Sequence, residues 1–156
     1  RGDRGNGVLR EMKDVVISIN SIHSYGQGDE DSLEFTTDGH YVFEDNVGRL
    51  SYMESAVTGM EGTRTSMTIF PEQVVLDRAG SITSRMVFKE GLKNSFLYDT
   101  PYGTATMGVN TRRIEHCFDE NGGRVEIDYV VDMEHAVVTR NKFQITVKQM
   151  GEVSNG

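Results

Sequence analysis

Residues 63–90 read TRTSMTIFPEQVVLDRAGSITSRMVFKE. Apolar and polar side chains alternate here in three short runs, 63–70, 73–79 and 82–90. The runs are divided by Phe70-Pro71-Glu72 and Ala79-Gly80-Ser81. Alternation at period two marks strands with one face buried, and Pro and Gly between such runs mark tight turns. Three strands joined by two short turns make an antiparallel meander.

The same grammar extends in both directions. Asp38-Gly39, Glu90-Gly91, Thr100-Pro101-Tyr102-Gly103 and Asn121-Gly122-Gly123 read as further turns. Strands are expected near 14–23, 32–37, 40–45, 48–54, 63–70, 73–79, 82–90, 94–100, 104–118, 124–132 and 137–148. No window carries a long helical stripe. So many strands in one meander leave two adhesive edges unless the sheet closes. The expected fold is therefore all-β, a closed antiparallel up-and-down barrel occupying 13–150 as a single domain.

Composition agrees and excludes other classes. The 156 residues suffice for one core, and the 17 glycines against 2 prolines suit a chain of strands and turns. A single cysteine rules out an internal disulfide. The net charge of −8 disfavours nucleic acid and anionic membranes as partners. No apolar run approaches the roughly 20 residues of a membrane-spanning helix. The opening segment, Arg1 to Lys13, holds four basic and two acidic residues, so the remainder carries −10. Residues 1–12 read as a flexible leader or arm, and 151–156 as a frayed tail. Arg1-Gly2-Asp3 is a chance match to an adhesion triplet. Without a secretory signal, the expected location is the cytoplasm.

Period two also sorts the residues by face. Taking the more apolar face of each strand as inward places several polar groups inside: Tyr52, Glu54, Thr65, Arg78, Tyr98 and Tyr129. In 104–118 the parity breaks. Met107, Val109 and Thr111 point one way, while Ile114 and Phe118 point the other. A bulge near Arg112-Arg113 reconciles them.

Glu54 and Arg78 are the informative pair. A charge on an apolar strand face is costly unless paired. They either close one end of the barrel as a structural ion pair or stand in a cavity and orient a polar ligand group, with Tyr52 and Tyr98 as amphipathic walls.

Other signals are bland. His23, His40, His116 and His135 lack metal-ligand spacing and read as exposed or singly hydrogen-bonded. Cys117 reads as a buried or half-buried thiol, with its neighbour His116 on the opposite face. Gly59-Met60-Glu61-Gly62 lacks the lysine of a phosphate loop, and Asp29-Glu30-Asp31 lacks the ligand pattern of a calcium loop. No catalytic motif, metal site or cofactor is expected.

Gly39-x-Tyr41, Leu50-Ser51-Tyr52-x-Glu54, Gly59, Thr65, Arg78-x-Gly80, Met86-x-Phe88, Tyr98-x-Thr100-x-x-Gly103, Thr111 and Gly123-x-Val125-x-Ile127-x-Tyr129 together resemble the YwiB-like family. That is a family of uncharacterised β-barrel proteins of Gram-positive bacteria. The likeness spans roughly Met12 to Met150. It implies an intracellular calycin-like, lipocalin-type barrel without established activity or cofactor. Its recurrent polar residues correspond here to Tyr52, Glu54, Thr65, Arg78 and Tyr98.

Three functions follow. The leading one is a small amphipathic ligand held inside the barrel by Tyr52, Glu54, Thr65, Arg78, Tyr98 and Tyr129. The second is an enzyme using Glu54 as acid/base and Arg78 as anion stabiliser. The third is an interaction or homo-oligomer-forming barrel with an exposed apolar patch around Val42, Val75 or Val138.

Overall fold

A computed structural model describes residues 12–150 except 27 and 135. The expected leader, 1–12, lies outside the described residues but for Met12; the tail, 151–156, and His135 lie outside altogether.

Ten strands follow one another: β1 Lys13–Ser24, β2 Glu30–Glu44, β3 Val47–Met53, β4 Arg64–Ile69, β5 Val74–Ala79, β6 Thr83–Phe88, β7 Lys93–Thr100, β8 Gly103–Asp119, β9 Gly122–Met133 and β10 Ala136–Gln149. Each pairs antiparallel with its sequence neighbours, and β1 pairs with β10, so the meander closes into a barrel. Closure satisfies both edges. The described residues contain no helix, and hence none long and apolar enough to cross a membrane.

One expected turn is not a turn. Strands anticipated at 32–37 and 40–45 are the single strand β2, which runs straight through Asp38-Gly39. Gly39 is there for close approach. It pairs with Val15 on β1, and a Cβ on it would lie 2.4 Å from Ile17 Cδ1 and 2.5 Å from the Ser51 carbonyl oxygen. Beyond it, β2 gains β3 on its other edge from His40, while its pairing with β1 ends at Tyr41. The turn that follows uses Asp45 and Asn46, both at positive φ (54° and 65°), as a two-residue hairpin demands.

The bulge is where parity placed it. The β8–β9 register shifts between Thr111 and Arg113, leaving Arg112 unmatched. Val109 and Thr111 are fully buried before it, and Ile114 and Phe118 pack against the core after it. Cys117 falls on the outward parity past the bulge, so it is exposed rather than buried. Only two residue pairs join β6 to β7. Where that ladder stops, the Asn94 amide Nδ2 donates to the Val87 carbonyl at 3.1 Å.

The inward residues follow a gradient. Along β1 they run Val15, Ile17, Ile19, then Ser21, His23. Along β3 they run Leu50, Tyr52, leading on to Glu54. On β4 they run backwards from Ile69 and Met67 to Thr65, and on β5 forwards from Val74 and Leu76 to Arg78. On β10 they run back from Val147, Ile145 and Phe143 to Asn141. Because neighbouring strands are antiparallel, all these series turn polar at the same end of the barrel. The other end is filled by packed side chains. There Tyr41 packs on Phe118, with ring centroids 5.9 Å apart, and donates its hydroxyl to the Asp119 carbonyl at 2.7 Å.

Of the three valines named for an outward apolar patch, one is open to solvent. Val42 and Val75 are buried, at 9% and 4% exposure, while Val138 is exposed at 41%.

Candidate functional site

The polar end encloses a cavity of about 480 Å³, a volume typical of small-molecule sites. Its deep wall is apolar, with Ile19, Phe35, Met67, Leu76, Phe143 and Ile145. Tyr52, Glu54, Arg78, Tyr98 and Tyr129 line it as well. Thr65, the sixth residue singled out by parity, supports the site from behind: it is buried and donates its hydroxyl to Glu54 Oε2 at 2.5 Å.

Glu54 follows β3 at the start of the loop that leads to β4. Its backbone N–H donates to the Thr63 carbonyl at 2.8 Å, which closes the loop. Its carboxylate is anchored on both sides, with Thr58 donating to Oε1 at 2.8 Å and Thr65 to Oε2. Arg78 Nε lies 3.9 Å from Oε2, within ion-pair range, and the Glu54 side chain is 1% exposed against 19% for Arg78. That distance is too long for a hydrogen bond. Arg78 Nε is accordingly a buried donor without a partner, and so is the hydroxyl of Ser84, its cross-strand neighbour on β6. Two adjacent unpaired polar groups are unusual in a folded protein, where buried polar atoms are nearly always bonded.

An aromatic cluster adjoins the cavity, with Tyr129 and Phe143 in its lining and Phe88 buried behind them. Phe88, Tyr129 and Phe143 stack edge to face, with centroids 4.9 to 6.1 Å apart, a favourable arrangement of their quadrupoles. Burial pushes the Tyr129 phenol up to about 12, against a smaller opposing pull from Arg78. Burial and then the Glu54 charge push Tyr52 up, and burial followed by Asp119 does the same to Tyr41. All three are neutral when folded, whereas an unfolded tyrosine ionises near pH 10. The unfolded chain therefore loses these protons first as pH rises. Stability is intact below about pH 10 and falls through Tyr129's value of about 12, by about 1.4 kcal/mol per pH unit for each tyrosine. Urea midpoints measured from pH 8 to 11 should decline only above about pH 10; a flat midpoint at pH 11 contradicts this reading.

Sequence reasoning missed contributions from two segments. Thr58, Gly59 and Met60 reach the cavity from the β3–β4 loop. Ser21 and His23 line it from β1. His23 is not singly bonded: it contacts both Ser21 and Asn141. Its parity with Ile17 and Ile19 was the available signal. The expectation holds for His116, whose Nε2 meets only the Pro71 carbonyl at 3.2 Å, and His40 is exposed beside Asp14.

A closed ten-strand antiparallel barrel, filled at one end and hollow and polar at the other, is the class that fold and site define. Residues 17–145 match the domain of unknown function DUF1934, and the chain belongs to that family. It is 28% identical over 121 residues to the uncharacterised β-barrel protein YwiB of Bacillus subtilis strain 168, covering 78% of this chain and 83% of that protein. The crystal structure of the Bacillus subtilis ywiB protein superposes with a TM-score of 0.80 at 21% identity, over 92% of this chain and 96% of the other. The resemblance carried by the Leu50–Glu54, Arg78–Gly80 and Tyr98–Gly103 segments is thus borne out, as is the barrel.

Proposed function

We infer that this barrel binds a small amphipathic molecule in its hollow end, with an apolar tail against Phe35, Met67 and Phe143 and a hydrogen-bond-accepting head, such as a carboxylate, at Arg78. The observation that carries the reading is the partly exposed Arg78 side chain in a cavity of about 480 Å³ that sets it, with Tyr52, Tyr98 and Tyr129, against an apolar wall. A ligand carboxylate meets the exposed part of that guanidinium, and a hydrogen bond to a charged group contributes about 1.5–3 kcal/mol. Glu54 fits a supporting role, since Thr58 and Thr65 anchor its carboxylate and it stands as a counter-charge 3.9 Å from Arg78 Nε. Tyr98 and Tyr129, with both an apolar ring and a hydroxyl, suit the boundary between tail and head.

Fluorescence of 1-anilinonaphthalene-8-sulfonate, displaced by decanoate, provides the test. Arg78→Met should weaken decanoate binding about tenfold, equivalent to about 1.4 kcal/mol, and leave decanol binding within a factor of two. Equal decanoate affinities for the variant and the parent, or no displacement from the parent, would refute the assignment.

A further inference from the structure

Ser21 and His23 line the same cavity, and the closing of the barrel brings Asn141 up behind His23. On β1, Ser21 and His23 are two residues apart and so point inward together. Ser21 Oγ lies 3.2 Å from His23 Nε2. On the closing partner β10, Asn141 is the residue directly opposite His23, and its Oδ1 lies 2.5 Å from His23 Nδ1.

The direction of each bond follows from chemistry. Asn141 Nδ2 faces the Thr139 hydroxyl at 2.8 Å and its carbonyl oxygen at 3.4 Å. A carbonyl only accepts, so the amide nitrogen must be the group turned toward Thr139. Oδ1 is then turned toward the imidazole, and His23 Nδ1 must carry the hydrogen that it receives. The other ring nitrogen, Nε2, is left with a free lone pair directed at Ser21, whose hydroxyl donates to it. Asn141 is 8% exposed, which shields the orienting bond from water.

A hydroxyl donating to a histidine whose far nitrogen is held by an amide or carboxylate is the arrangement that activates a nucleophile, and an asparagine can fill the third place. The geometry points to Ser21 as the nucleophile of an ester-hydrolysing site, with His23 as its base and Asn141 as the positioning residue, opening on the ligand cavity. Ser21 Oγ forms a bond to the ester carbonyl carbon while its proton passes to His23 Nε2. The carbonyl π pair moves onto oxygen and returns as the C–O bond to the alcohol breaks, and His23 gives its proton to the departing alkoxide. Water then attacks the acyl-Ser21 ester with His23 again taking the proton. The Ser21–acyl bond breaks as His23 returns that proton to Ser21 Oγ, and a carboxylic acid and free Ser21 result. The substrate class is an ester of a medium-chain acid with a small alcohol, since the apolar wall takes the acyl chain. The inference rests on the binding reading for that choice, because the product carboxylate is the ligand assigned to Arg78.

The test uses p-nitrophenyl decanoate for turnover and diisopropyl fluorophosphate for labelling, read by peptide mass spectrometry. Ser21 in the parent should gain the phosphoryl group, and His23→Ala should abolish the gain. Ser21→Ala and His23→Ala should each lower kcat/KM at least about 100-fold, the ordinary contribution of a positioned base. Asn141→Ala should lower kcat at unchanged KM, and Asn141→Asp should restore it. Absence of label on Ser21 in the parent, or full turnover by Ser21→Ala, overturns the proposal, and the labelling needs no variant to fold. A parent that binds decanoate but hydrolyses nothing overturns the triad alone. A parent labelled at Ser21 that binds no decanoate supports the triad and overturns the binding reading.

Discussion

Gly80→Ala should lower the folding stability by about 3 kcal/mol or more, and the thermal midpoint by roughly 10 °C. Gly80 sits in the β5–β6 turn at φ +145°, a conformation open to glycine and scarcely to any other residue. A Cβ there would lie 2.1 Å from the Gly62 carbonyl oxygen and 2.7 Å from Thr63 Cα. Both are backbone atoms, so no rotamer change relieves the clash. Thr63 is fully buried and accepts the Ile82 N–H on its hydroxyl at 3.1 Å, while the Ser81 hydroxyl donates to the Glu61 carbonyl. The turn is therefore the seat of the 54–63 loop, which places Thr58 against Glu54. Gly103→Ala is the matched control. Its φ is +136° but nothing lies within 4 Å of the added carbon, so only the backbone term of about 1 kcal/mol applies. Urea denaturation of the two variants separates clash from strain. Equal losses would show that the loop yields freely and that the close packing on Gly80 carries no weight.

Gly80 also shows which parts of the fold a sequence discloses. Period-two alternation and the turns at Phe70–Glu72 and Ala79–Ser81 are local, so the meander could be read directly. The bulge at Arg112 could be read too, because it reverses the parity of apolar residues within one strand. Gly39 misled for the opposite reason. Its neighbours in sequence look like those of a turn glycine, whereas the atoms that require it to lack a side chain belong to Ile17 and Ser51. Nothing within a local window distinguishes the two uses.

The site divides along the same line. Tyr52, Glu54, Thr65, Arg78, Tyr98 and Tyr129 were visible because each is a polar exception on an otherwise apolar face. That all of them gather at one end follows from the antiparallel order once the strands are placed. Ser21, His23 and Asn141 were not visible as a group. His23 and Asn141 are 118 residues apart, and only the exact register of the closing β1–β10 pair sets them opposite each other. A slip of one residue would turn Asn141 outward. The loop residues Thr58 and Met60 have no periodicity to reveal their facing.

The ion pair offers the other large effect. Glu54→Leu should cost about 3 kcal/mol, Arg78→Met less, and the double variant less than Glu54→Leu alone. The asymmetry follows from what each change leaves behind. Without Glu54, the guanidinium loses its counter-charge while its Nε remains buried and unbonded, and the Thr58 and Thr65 hydroxyls lose their acceptor. The residual 19% exposure of Arg78 moderates the loss, which keeps the value at the lower end of the 3–5 kcal/mol seen when a buried pair is broken on one side. Without Arg78, Glu54 still receives two hydroxyl hydrogen bonds, so its charge stays partly compensated. Removing both leaves an apolar patch continuous with Met67 and Leu76, and the coupling between the sites should reach about 2 kcal/mol, within the span typical of contacting residues. Equilibrium urea unfolding of the three variants measures it. If the double variant loses the sum of the single losses, the two groups are energetically independent. The 3.9 Å approach would then be mere adjacency, and the pair would play no part in holding Arg78 toward the cavity. If the coupling appears, the two groups hold each other in the cavity wall, and the pair contributes to the placement of Arg78 on which the binding reading depends.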